Sequence, residues 1–163
     1  SRRTLARIVQ CINIISVGHK LPDWLQSGCD KYQKILNSSY KINNISLQAI
    51  SAKLDQKARQ IKENELILAK IPAQSYIIAL DEIGKKISSI DFAKKINSCF
   101  QMSQSITFII GPTDGLSGEI KAKADYILSL SSLTYTHDMV KVILLEQIFR
   151  AHCINTNHPY HRA

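Results

Sequence analysis

The sequence predicts an α/β fold: a single domain built on a parallel sheet flanked by helices. Three observations carry that prediction. Apolar bursts alternate with amphipathic segments along the chain. Two of the strongest bursts run into glycine, at Gly18 and at Gly111, where a strand can turn away from a sheet. A length of 163 residues suits one compact domain with a core that needs no disulfide or metal staple.

Each element follows from its own pattern. Residues 11–17 (CINIISV) read as a buried strand closing at Gly18. Leu21-Pro22-Asp23 opens a helix that carries Trp24, Leu25, Cys29, Tyr32 and Leu36 along one face. Residues 41–50 form a second strand, its alternation broken at Asn43 and Asn44. Residues 52–69 form a basic helix with Leu54, Ala58, Ile61, Glu65 and Leu68 on the inner stripe, its Lys53, Lys57, Arg59 and Lys62 being a solvated face. Residues 75–80 (SYIIAL) are the clearest central strand, and Asp81-Glu82-Ile83-Gly84 turns out of it. Ser88-Ser89-Ile90-Asp91 resembles a capping box before a helix to Met102. Residues 105–110 (SITFII) are another buried strand, running into Gly111-Pro112-Thr113-Asp114-Gly115. Ser117 caps a short helix, residues 126–130 make a last strand and residues 131–136 a loop.

His137-Asp138 opens the final helix, which extends to about Asn155 and has almost no polar face. A helix apolar nearly all round is covered on several sides. In so small a domain the expected cover is a second copy, giving a homodimer through Met139 to Ile154.

Composition narrows the function classes. With 45% hydrophobic and 21% charged residues the chain is globular, not disordered. A net charge of +8 favours an anionic partner, nucleic acid ahead of a membrane surface. Arg2, Arg3 and Arg7 supply three of those charges, and no acid lies beside them. The start resembles a twin-arginine signal, but Arg7, Gln10 and Asn13 interrupt the apolar stretch and no small-x-small site follows. Residues 1–8 are therefore read as a disordered extension, and residues 9–163 as the domain. Cys11, Cys29, Cys99 and Cys153 form no CxxC pair, which removes zinc and thioredoxin-like chemistry and fits a reducing, cytoplasmic setting. No metal and no membrane are expected.

Ligands of open parallel sheets bind beyond the carboxyl ends of strands. Three such ends stand out: Leu80-Asp81, Gly111 to Gly115, and Leu130 to Tyr135. They lack both the Lys-Ser/Thr ending of a phosphate loop and the GxGxxG spacing of a dinucleotide site, which leaves a ligand held by backbone groups and small side chains. No Ser-His-Asp set, paired-carboxylate motif or HExxH supports a hydrolase. His19 reads as a loop residue and His152 as a satisfied buried imidazole, while His137 either caps its helix or points into a site. The tail Asn157-His158-Pro159-Tyr160-His161-Arg162 gathers a ring, imidazoles and a guanidinium, a set suited to stacking on a nucleotide and bonding to it.

These residues, taken together, resemble the ribosomal RNA large subunit methyltransferase H family. The likeness rests on Ile14-Ile15-Ser16-Val17-Gly18, Pro22-Asp23-Trp24 and Ile78-Ala79-Leu80-Asp81. It continues through Phe108-Ile109-Ile110-Gly111, Gly115-Leu116-Ser117, Leu128-Ser129-Leu130-Ser131 and the NHPYHR tail. The resemblance implies a SPOUT-type sheet with a C-terminal trefoil knot, an obligate homodimer and no added RNA-binding domain. It implies S-adenosylmethionine as cofactor, and methylation at N3 of a pseudouridine in the 23S rRNA stem-loop that bridges the ribosomal subunits, within the large subunit or the assembled ribosome. Carried over, the cofactor residues are Leu80, Gly111, Leu130, Ser131, Ser132, Leu133, Thr134 and Tyr135. Arg150, Tyr160, His161 and Arg162 would hold the RNA, and His137 and His161 are the candidates for the base. Two positions depart from the family pattern: Pro112 replaces a second glycine, and Thr136 replaces the proline before the histidine. The alternatives are a non-catalytic RNA-binding protein on the same fold, a SPOUT methyltransferase acting on tRNA, and a flavodoxin-like nucleotide binder.

Overall fold

The computed structural model describes residues 9–102 and 105–162. The extension expected at residues 1–8 lies outside them. Among the described residues five strands and five helices alternate: β1 (Cys11–Gly18), α1 (Asp23–Leu36), β2 (Lys41–Gln48), α2 (Gln56–Lys70), β3 (Ser75–Lys86), α3 (Ser89–Met102), β4 (Ser105–Ile110), α4 (Gly118–Lys123), β5 (Tyr126–Ser129) and α5 (His137–Asn155). The strands form one sheet in the order β2-β1-β4-β3-β5, every neighbouring pair parallel. Chain order therefore breaks at β4, which lies between β1 and β3.

Alternation along the strands sends side chains to two cores. Ile12, Ile14, Ile78, Ile106 and Phe108 face α1, α3 and α5, while Ile15, Val17, Ala79 and Ile109 face Ile67 of α2 and Ile120 of α4. One polar row crosses the second face. Asn43 Nδ2 donates to Asn13 Oδ1 at 2.9 Å, Asn13 Nδ2 donates to Thr107 Oγ1 at 3.4 Å, and the Thr107 and Ser75 hydroxyls share a further bond.

Local chemistry sets the helix starts. The Asp55 carboxylate accepts from Ala58 N–H at 2.7 Å, so α2 begins after it and not at Ala52. Ser88 accepts from Asp91 N–H at 3.1 Å and Ser117 from Ile120 N–H at 3.3 Å, both at the positions the sequence predicts. The predicted inner faces need two corrections. Trp24 is 67% exposed, and α1 packs through Leu25, Cys29 and Leu36 instead. In α2 the stripe is rotated: Glu63, Asn64 and Ile67 are buried while Ile61 and Glu65 are exposed. Asn64 is drawn inward by α4 and its cap, accepting from Ser117 Oγ at 2.6 Å and donating to Glu119 at 3.1 Å.

Two boundaries also differ. β2 ends at Gln48, and β3 does not stop at Leu80 but extends to Lys86. Leu128 of β5 is level with both Leu80 and Lys85, so residues 81–84 make an out-and-back detour. Asp81 holds that detour by accepting from Ile83 N–H at 3.0 Å.

The cover of α5 comes largely from this chain. It packs between α1 and α3, and no residue from His137 to Ile154 is exposed. Leu144, Leu145 and Ile148 are fully enclosed in the core, while Met139, Val142, Ile143 and Phe149 are half-buried.

His152, near the end of α5, meets two hydroxyls: Ser39 Oγ lies 3.0 Å from Nε2 and Tyr40 Oη 3.2 Å from Nδ1. Burial, and then the neighbouring His158, hold its pKa below the usual 6.5. Below that pH the unfolded chain takes up the proton more readily than the folded one, so stability falls on acidification. Thermal melts should decline from pH 6.5 downward, ahead of the carboxylate range. His152→Gln, neutral throughout, should flatten that limb; an unchanged profile would exclude His152 as its source.

Candidate active site

The carboxyl ends of β3, β4 and β5 and the start of α5 enclose a cleft of about 680 Å³. Its aliphatic wall is Leu80, Ile110, Leu116, Leu128, Leu130 and Val140. The loop after β4 closes as a turn, with Gly115 N–H donating to the Pro112 carbonyl at 2.8 Å. Gly115 has φ +89°, a conformation that favours glycine. Gly111 is required for a different reason: a Cβ there would stand 2.7 Å from the Leu116 side chain, so the turn packs directly on the strand end. The loop after β5 is pinned from within. Ser129 Oγ donates to the Ser131 carbonyl at 2.9 Å, and Leu133 N–H donates to Ser131 Oγ at 2.9 Å.

Two of the three carboxylates that line the cleft are paired, and Glu82 makes no ion pair among the described residues. Lys121 Nζ lies 2.9 Å from Asp81, and Arg59 of α2 reaches Asp114 at 3.8 Å. His137 stands at the edge, its Nε2 donating to the Gly111 carbonyl at 2.6 Å. A carbonyl can only accept, so the proton of the neutral ring is on Nε2 and the lone pair on Nδ1. The ring lies against Gly18, where a Cβ would come within 2.9 Å of Cε1.

Of the sequence-predicted residues, Leu80, Gly111, Leu130, Ser131, Leu133, Tyr135 and His137 line this cleft, while Ser132 and Thr134 do not. The remaining candidates gather elsewhere. Glu146 accepts from Arg150 at 2.7 Å and from Tyr160 Oη at 3.0 Å, and Arg150 lies 3.2 Å from His161 Nδ1. The Tyr160 ring packs on Phe149 with centroids 4.7 Å apart and beneath the Arg150 guanidinium at 4.8 Å. Burial and the Glu146 contact push the Tyr160 hydroxyl up to about 12. Arg162 is exposed and outside this cluster. Arg150 stands thirteen residues along α5 from His137, roughly 20 Å by helical rise. Sequence reasoning marked Asp81 as part of a ligand-binding strand end but missed Lys121 and Glu146. The i, i+4 spacing to Arg150 was the signal for Glu146.

The family described as "Predicted SPOUT methyltransferase" matches residues 11–161. The ribosomal RNA large subunit methyltransferase H of Methylobacillus flagellatus is 36% identical over 93% of this chain and 98% of its own. The proteins of that name from Paraburkholderia phymatum and Legionella pneumophila (strain Lens) are 38% and 40% identical, each over 93% of this chain and 98% of its own. The chain belongs to the ribosomal RNA large subunit methyltransferase H family. Among solved structures, the SpoU methyltransferase AviRb of Streptomyces viridochromogenes with AdoMet aligns over 92% of this chain and 61% of its own, at 12% identity and a TM-score of 0.43.

Within this methyltransferase family the two departures have simple geometric readings. Thr136 precedes α5 with φ −62°, an angle that a proline ring would also adopt. Pro112 begins its turn and serves it through its carbonyl, which proline retains. Among the described residues no helix is long and apolar enough to cross a membrane.

Proposed function

We propose that this chain, as a homodimer with a trefoil-knotted C-terminal half, methylates N3 of a pseudouridine in the intersubunit-bridge stem-loop of 23S rRNA, using S-adenosylmethionine. The observation that carries the reading is the cleft at three parallel strand ends with His137 locked at its edge, in a chain of this family.

The residues present fit the cofactor. A cleft of about 680 Å³ lies within the usual range for such ligands. Its aliphatic wall suits an adenine ring, the loops after β4 and β5 offer backbone groups, and the paired charges leave no uncompensated lysine to repel a sulfonium. When bound, S-adenosylmethionine supplies an electrophilic methyl group.

The chain's own task is alignment and proton removal. Gly111, Leu130, Ser131, Leu133 and Tyr135 would hold the donor in the cleft that His137 edges. With Nε2–H held by the Gly111 carbonyl, Nδ1 is free to accept the N3 proton of the base. His161 is the weaker candidate, because its Nδ1 is engaged by Arg150 and it lies outside the cleft. The distance along α5 separates each tail from its own cleft. In the homodimer, the Arg150–Tyr160–His161 cluster, with Arg162, serves the RNA bound at the partner's cleft. Met139 and Ile143, half-buried and not packed against the chain's own core cluster, are apolar residues of α5 left for that interface.

The test is mass spectrometry of rRNA from a bacterial strain lacking this activity, before and after the purified protein is added to its ribosomes. One methylated pseudouridine in 23S rRNA should appear, and the protein without residues 158–163 should bind cofactor but not restore it. A methyl group on tRNA alone, or on no RNA, overturns the reading.

A further inference from the structure

A second cleft, of about 420 Å³, opens at the carboxyl ends of β1 and β2. It shares Ile110 and His137 with the first, so the two clefts meet at the imidazole. Ser16, Ser46, Gln26 and Gln48 give it hydroxyl and amide groups. The exposed His19 and Lys20 stand at its rim.

Lys141 also lines this cleft, one helical turn beyond His137 and on the same face of α5. It is only 9% exposed. Among the described residues it makes no ion pair and no side-chain hydrogen bond. The groups facing it are Cys29 and Asp30 of α1, and Asp30 accepts from Gln26 instead, at 2.8 Å. Burial pushes the Lys141 ammonium down from its usual pKa. A cation enclosed without a partner is costly to keep, and an anion entering the cleft would relieve that cost.

The ligand must be anionic, must accept bonds from amides and hydroxyls, and must reach the methyl donor across His137. A nucleotide of RNA meets all three demands, and enzymes that modify a base take it out of the stack into such a pocket. We propose that the second cleft holds the acceptor nucleotide, with a phosphate on Lys141 Nζ and the base directed at His137. This rests on the methyltransferase reading above and names the place where its RNA enters.

The test is an NMR titration of uridine 5′-monophosphate into the isotope-labelled full chain saturated with S-adenosylhomocysteine. The amides of Gly18, His19, Ser46 and Gln48 should shift. Lys141→Met should weaken uridine monophosphate roughly tenfold, the worth of one charge-assisted contact, while leaving cofactor affinity unchanged. Uridine without its phosphate should bind both proteins alike. If Lys141→Met does not fold, Ser46→Glu, at an exposed edge position, places a repelling charge in the cleft and should weaken the nucleotide similarly. No shift at millimolar nucleotide, shifts confined to other faces, or variants that bind like wild type would each overturn the proposal. The parallel control is methylation of rRNA by the wild-type protein. If that fails the reading beneath falls, and if it succeeds while the nucleotide ignores this cleft, only the present proposal does.

Discussion

His137→Gln is expected to keep the cofactor and lose the reaction. Glutamine can still donate an amide hydrogen to the Gly111 carbonyl, so the wall of the cleft stays in place. What disappears is a nitrogen lone pair able to take the proton of the target base. Turnover on ribosomal substrate should fall roughly a hundredfold or more, the usual worth of a positioned base. Cofactor affinity by calorimetry should change by less than the turnover does. The surviving rate should climb with pH, because the target base then ionises without help. A variant that turns over normally, or loses cofactor binding and turnover in equal measure, would show His137 to be a wall and not a base.

Gly111→Val should be more disruptive still, and for a reason found in the packing. The added carbon would stand 2.7 Å from Leu116, a buried member of the core beneath α2 and α4. Relief requires that Leu116 move or that the turn at 112–115 lift away, and either reshapes the cleft. Overpacking of this kind costs about 1–3 kcal/mol. The melting temperature should drop by about 5 °C, and calorimetry should show no cofactor binding. A protein that melts as wild type and binds with full affinity would mean that Leu116 yields freely and the turn takes no part in the site.

Much of this was legible because short-range patterns and strand ends are local properties. The bursts at residues 11–17, 75–80 and 105–110 appear as strands, and Ser88, Asp91 and Ser117 show their capping chemistry in the letters themselves. What escaped depends on contacts distant in sequence. Trp24 looks like a core residue until α1 is seen to turn it to solvent. Asn64 looks like a surface residue until Ser117 and Glu119 reach it from fifty-odd positions away. The extension of β3 through residues 81–86 needs β5 beside it, and no local signal announces that partner. Lys141 is the sharpest case. Nothing in the letters marks this lysine as enclosed, and its burial depends on α1 packing beside it. For the candidate site, the three strand ends come from general rules of parallel sheets, while the separation of the tail cluster from its own cleft requires the length and direction of α5.

The row of polar side chains through the sheet has a consequence for how the strands sort themselves. With β2 on one edge of β1, the next strand in the chain that could take the other edge is β3. At the level of Asn13 that neighbour would present Ile77, which lies level with Thr107 across the β3–β4 pair. The Asn13 amide would then face a hydrocarbon, and Thr107 would be carried one strand further out, away from it. Leaving a buried amide hydrogen without an acceptor costs about 1–3 kcal/mol. An apolar row would fit either order almost equally well, since isoleucines are interchangeable neighbours. The asparagine and threonine therefore act as an address: they recognise β4 as the strand that belongs beside β1, and they penalise the wrong insertion once α2 and α4 cover that face.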